Sequence, residues 1–177
     1  MDLECLKVFS APYYQNKDGM HNLWHIELVL QSALRLVRLG NYDVDIDKLT
    51  AAAYFHGFVG SHEEEIRRWL ATEGFCGDII EEILCFARES HATAVPRTLG
   101  GKILHDAHLI KGGKAYMVTK CLITGSLRGQ TLPETIAYIE NHIIGQRACY
   151  LPESKPLFEQ AVGFTVDFVA ELKRGLL

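Results

Sequence analysis

Three residues, drawn from distant stretches of the chain, have the side-chain chemistry of a metal site. His25 and His56 lie among apolar neighbours, and a buried imidazole is costly unless it binds a hydrogen-bond partner or a metal. Asp106 offers a hard anionic oxygen, so the three together could hold one divalent metal ion with positions open for water and substrate. Taken singly, each is more often a satisfied core residue, and spacing alone does not join them.

Helices would have to position these residues. Asn22 can cap an amphipathic helix that holds His25, because apolar residues follow it at spacings of three and four. The nearly unbroken apolar run DKLTAAAYFHGF predicts a buried helix with His56 in its last turn. The segment from Thr98 to Ile110 contains glycines but recovers helical spacing, and Asp106 lies inside it.

Further helices are predicted by capping patterns. The pairs that could form capping boxes are Ser61 with Glu64, Asp78 with Glu81, and Thr131 with Glu134, the last ahead of a helix that ends near Tyr150. No sustained two-residue alternation calls for a sheet. The sequence therefore predicts an all-α fold, a single orthogonal bundle of about seven to nine helices, with residues 1–177 forming one domain.

Composition excludes several classes of function. The net charge of -4 and the lack of a basic block do not favour a nucleic acid polymer as partner. No apolar run approaches the ~18 residues of a membrane span, and the acidic start MDLECLKVFS is unlike a signal peptide. The 5 cysteines are scattered without a C-x-x-C pair, as is typical of reduced packing residues. We expect a cytoplasmic protein that does not bind membranes.

Three segments, in this order, resemble the HD superfamily of metal-dependent phosphohydrolases. HNLWHIELVLQSALRL is similar to the family's first-histidine helix, AAAYFHGFVG to its apolar run ending in His-Asp, and PRTLGGKILHDAHLIKGGKA to the segment whose Asp-Ala-Asp holds a ligand Asp. The similarity covers roughly residues 13 to 116. It implies an HD-like fold, a metal bound by His25, His56 and Asp106, and a small phosphorylated substrate such as a nucleotide.

The chain also departs from the pattern of that family. Gly57 stands where the family has the Asp after His56, and His108 replaces the second Asp of Asp-Ala-Asp; Gly100 stands where related sequences often carry an acid. Because glycine cannot ligate, we expect one divalent ion (Mn, Fe, Co, Ni, Zn or Mg) rather than a bridged pair. His108 should point well round the helix from Asp106, to the surface or to an outer contact.

His62 and His91 are the candidate catalytic residues, because the resemblance places them where some dinuclear relatives bind a second metal. Either could act as a general acid, although each has a plainer reading, His62 as an exposed residue in a first helical turn and His91 as a helix end. The remaining histidines have weaker support as site residues: His21, His105 and His142.

Three functions are compatible with these residues. The first is a metal-dependent phosphomonoesterase or phosphodiesterase acting on a small phosphorylated molecule. The second is a degenerate, non-catalytic HD domain that binds a nucleotide or other small ligand. The third is a helical interaction protein without a pocket. A separate alternative, implied by the resemblance, is an oxidative reaction, because other members of the superfamily use iron for oxygenation. A homodimer is compatible with the sequence. Fold alone does not decide the chemistry.

Overall fold

The computed structural model describes residues 1–176; Leu177, which the predicted domain includes, lies outside the described residues. Those residues form nine α-helices and one short 3-10 turn, without a strand, which confirms the all-helical prediction. The helices are α1 Leu3–Ser10, α2 Leu23–Gly40, α3 Ile46–Phe55, α4 Val59–Thr72, α5 Gly77–Glu89, α6 Leu99–Ile110, α7 Lys114–Leu127, α8 Leu132–His142 and α9 Lys155–Gly175, and the 3-10 turn is Ala11–Tyr14.

Side-chain caps begin the helices that carry the candidate site. Asn22 accepts a hydrogen bond from the backbone N–H of His25 at the start of α2, and Thr98 does the same for Gly101 in α6. The predicted capping box of Thr131 is also present at α8. These contacts satisfy N–H groups that the first turn of a helix leaves without partners.

Two of the predicted capping boxes are wrong. The helix expected to start after Ser61 begins earlier, at Val59, and the Ser61 hydroxyl donates to the Phe58 carbonyl instead of capping. That helix then bends at His62, whose backbone is not helical. Asp78 lies inside the first turn of α5 and does not cap it.

The core has two parts, and α6 is the central helix of the larger one. Every residue of α6 from Gly100 to Ile110 is buried except Lys102 and His108, which are partly buried. A Cβ at Gly100 would overlap the Phe86 ring, so the glycine lets α6 approach α5 closely. A smaller apolar cluster joins α7, α8 and α9. Within residues 1–176, no helix is both long and apolar enough to cross a membrane.

Candidate functional site

Three histidines from three elements converge in the interior. His25 comes from the first turn of α2, His56 directly follows α3, and His108 lies near the end of α6. One nitrogen from each ring lies within 4.8 Å of the other two. We call these residues the histidine cluster. The structure thus brings His25 and His56 together, as the metal-site hypothesis requires. The third member is His108, for which the sequence predicts a position at the surface or in an outer contact.

Asp106 does not join the histidine cluster, which contradicts the prediction that it is the third ligand. Its carboxylate is fully buried and accepts hydrogen bonds from the backbone N–H groups of Tyr150 and Leu151 and from the Ser154 hydroxyl, at 2.5–2.8 Å. The His105 ring lies 3.0 Å from its other oxygen. The aspartate therefore fastens the segment before α9 to α6, which is a structural role.

Helix geometry explains why only one of these two residues could reach the site. Two residues along an α-helix are separated by about 200° around its axis. Asp106 and His108 must therefore point in nearly opposite directions. The same angle underlies the prediction that His108 points away from the site, which is wrong because nothing in the sequence shows which face of α6 meets α2.

The histidine cluster has the donor chemistry of a transition-metal site. Nδ1 of His25 and Nδ1 of His108 are buried and have no hydrogen-bond partner among residues 1–176, and such atoms are rare unless a ligand satisfies them. Burial, with Lys111 close by, lowers the pKa of both imidazoles, and burial lowers that of His56 as well. The rings are therefore neutral, the form in which histidine binds metal. Three histidines with a position left open is an arrangement found in catalytic zinc sites.

A cavity of about 360 Å³ lies beside the histidine cluster, with His56 and His108 in its wall. Among the residues that the structure describes, its wall carries five lysine and arginine side chains and no carboxylate: Lys17, Lys111, Lys120, Arg128 and Arg147. In a chain with a formal charge of -4, this concentration of positive charge is a local feature and not a general one. A cavity lined by positively charged groups attracts anions.

Lys17 occupies space that the absence of a side chain at residue 57 provides. Its ammonium group donates to the Gly57 carbonyl, and a Cβ on Gly57 would lie 2.8 Å from the lysine Nζ and 2.7 Å from the Tyr14 hydroxyl. That hydroxyl also bridges the Tyr54 carbonyl and the Gly57 N–H. The glycine therefore places a cation, where the family resemblance implies an anion, next to His56.

Two further lysines lie in the cavity wall, Lys111 buried and Lys120 partly buried. Lys111 donates to the His108 carbonyl and is 6% exposed. Burial lowers its pKa, and burial also lowers the pKa of Lys120 to about 8. Neither lysine forms an ion pair with a carboxylate within the part of the chain described by the structure. An anionic ligand beside either lysine would favour its charged form.

The two candidate catalytic histidines are placed differently. His91 lines the cavity, with its ring centroid 5.0 Å from that of His56. His62 is not part of the cavity wall; its Nδ1 contacts the Ser61 hydroxyl and its ring packs on Tyr13. Of the remaining histidines, His21 lines the cavity and His142 is exposed on α8.

Comparisons with known proteins identify the fold. No protein-family model and no curated protein matches the sequence. Among solved structures, the chain is similar to Bacillus subtilis YpgQ in complex with ADP, at 14% identity and a TM-score of 0.77 over 98% of this chain and 97% of that one. A Lactobacillus plantarum protein matches at 15% identity and a TM-score of 0.79 over 98% and 96%. The Lin1889 protein of Listeria innocua matches at 18% and 0.74 over 99% and 98%.

These similarities extend over nearly the whole chain, so the three proteins and this one share the complete helical architecture. At such identities the likeness concerns the fold, and function has to be argued from the site.

Proposed function

We propose that this protein is a divergent member of the HD superfamily, a phosphohydrolase that uses one divalent metal ion and acts on a small phosphorylated molecule such as a nucleotide. The observation that carries the proposal is the position of the histidine cluster beside a cavity lined by cations. The ADP bound to YpgQ, a protein of the same fold, is consistent with a nucleotide in this chain.

His25, His56 and His108 would hold the metal ion. When bound, a divalent ion of this kind lowers the pKa of water and stabilises negative charge on a phosphoryl group. The protein's own cations do complementary work. Lys17 and Lys111 lie next to the histidine cluster and can bind phosphate oxygens with charge-assisted hydrogen bonds.

His91 is the residue in the cavity wall best placed to move a proton. Its ring borders His56 and is exposed to the cavity, so it can donate to a leaving oxygen or accept from an attacking water. Arg128 and Arg147, also in the wall, can orient the rest of an anionic substrate. This assigns the proton-transfer role to His91 and leaves His62 outside the site.

The test begins with chelator-treated protein. Calorimetric titration with zinc, manganese, cobalt, nickel and magnesium measures metal binding, and each loaded form is assayed with phosphomonoester, phosphodiester and nucleotide substrates. We expect turnover that depends on metal. General acid–base residues contribute about 10²- to 10⁴-fold, so His91→Gln should lower kcat by that order, whereas the matched variant His62→Gln should not. Absence of both bound metal and turnover would remove the proposal.

A second function, a binding domain without catalysis, is favoured by one specific observation. The histidine cluster contains no anionic ligand, and the charges of Lys111 and Lys120 act directly on it, which opposes a divalent cation. A bound anion needs no metal to be held by these lysines. Thermal shifts with a nucleotide panel separate the two functions, because stabilisation that survives chelator, together with no turnover, supports binding alone.

A further inference from the structure

Ser90 connects the end of α5 to one member of the histidine cluster. Its hydroxyl oxygen lies 2.6 Å from Nδ1 of His56 and 2.6 Å from the carbonyl oxygen of Ala87. Ser90 and His56 are 1% and 6% exposed, so water does not compete freely for these contacts. The three groups form a chain from the backbone of α5 to the imidazole.

The direction of this chain follows from counting hydrogens. A serine hydroxyl has a single hydrogen to donate, and a carbonyl oxygen can only accept. The Ser90 hydrogen therefore goes to the Ala87 carbonyl, which leaves the Ser90 oxygen as an acceptor toward His56. Nδ1 of His56 must then carry the proton in that contact.

A neutral imidazole carries one proton on its two nitrogens. With the proton on Nδ1, Nε2 of His56 keeps its lone pair, the form required of a metal ligand. The hydrogen bond to Ser90 also fixes the rotation of the ring, as outer hydrogen-bond partners of ligand histidines commonly do.

We infer that Ser90 is a positioning residue, which sets His56 in the tautomer with a proton on Nδ1 and a free lone pair on Nε2. The value of this tautomer for binding a metal rests on the proposed function. The tautomer itself does not, because it is fixed by protein groups alone.

Ser10 provides a matched control. It is also a completely buried serine, in α1, but within the described part of the chain its hydroxyl has no hydrogen-bond partner. Ser10→Ala therefore removes a buried hydroxyl of the same kind without touching His56. Ser90→Thr is the conservative variant, because it keeps the hydroxyl.

The experiment measures the His56 tautomer in metal-free protein by two-bond ¹H–¹⁵N correlation spectroscopy. Wild-type protein, Ser90→Thr and Ser10→Ala should show the Nδ1-protonated form. Ser90→Ala should lose this form or mix it with the Nε2-protonated one. An Nε2-protonated His56 in wild-type protein would overturn the inference, and this observation needs no variant to fold. An unchanged tautomer in Ser90→Ala would overturn it as well.

Zinc affinity, measured by calorimetry on the same proteins, tests the functional consequence. Outer-shell partners of metal ligands typically contribute about 10- to 100-fold, so Ser90→Ala should bind zinc more weakly by that factor and Ser90→Thr should bind like wild type. If wild-type protein binds no metal but its tautomer is as inferred, the proposed function fails and the assignment of Ser90 holds. If metal binds but Ser90→Ala leaves the tautomer and the affinity unchanged, the assignment of Ser90 fails and the proposed function stands.

Discussion

Separate substitutions of Asp106 and His108 test which of these two residues belongs to the site. Asp106 and His108 lie two residues apart in α6 and point in nearly opposite directions, the first to the segment before α9 and the second to the histidine cluster. We therefore expect Asp106→Asn to damage stability but not metal binding. His108→Gln should weaken metal binding with little effect on stability.

The size of each effect follows from the contacts. Three donors point at one oxygen of the Asp106 carboxylate, and hydrogen bonds to charged groups are worth about 1.5–3 kcal/mol each. Asparagine keeps an acceptor oxygen but loses the charge, so we expect a loss of about 3–5 kcal/mol in the free energy of unfolding. Substitution of His108 removes no hydrogen bond found in residues 1–176, because its buried Nδ1 has no partner there, and a change within about 1 kcal/mol is expected.

Metal affinity should show the reverse order. Loss of one of three ligands should exceed the roughly 10- to 100-fold typical of outer-shell partners, so zinc binding to His108→Gln should fall at least about a hundredfold. Urea unfolding gives the stability of each metal-free variant, and calorimetry gives its zinc affinity, with His142→Gln as a control on exposed histidine. If Asp106→Asn abolished zinc binding while His108→Gln retained it, the assignment of the site to His108 would be refuted.

Three further outcomes are expected. Gly57→Ala should weaken sulfate binding, measured by calorimetry, by about tenfold, because a Cβ there meets Tyr14 and displaces the Lys17 ammonium. The control Gly60→Ala, whose Cβ meets nothing within 4 Å, should leave sulfate affinity unchanged. Equal effects of the two substitutions would contradict this prediction. The pKa of Lys120 is lowered to about 8, so its charge is present below that pH and sulfate affinity should fall as the pH rises through 8; Lys120→Arg should flatten the profile. Metal at about 100 times its Kd should stabilise the fold by about 2.7 kcal/mol, reversibly with chelator.

Local signals in the sequence were sufficient for most of the helices. Asn22, Thr98 and Thr131 cap the helices that follow them because their side chains reach N–H groups three residues along the chain. The prediction of a cap at Ser61 was wrong. Phe58, just before α4, packs against Tyr13 and Tyr14 of the 3-10 turn, and this packing fixes where α4 begins. The predicted end of the α8 helix near Tyr150 was also wrong, because the chain leaves that helix at His142 so that Asp106 can bind the following segment.

Within the candidate site, the sequence identified the residue types and the buried helices, which depend on patterns over a few neighbouring residues. His25 and His56 were singled out as buried histidines in this way, whereas only the resemblance to the HD superfamily joined them in one predicted site. The choice between Asp106 and His108, the location of Lys17 beside Gly57, and the link from Ser90 to His56 depend on which faces of separate helices meet. Those meetings are set by packing across the whole chain, where contacting residues are 34 or more positions apart, and no local pattern records them.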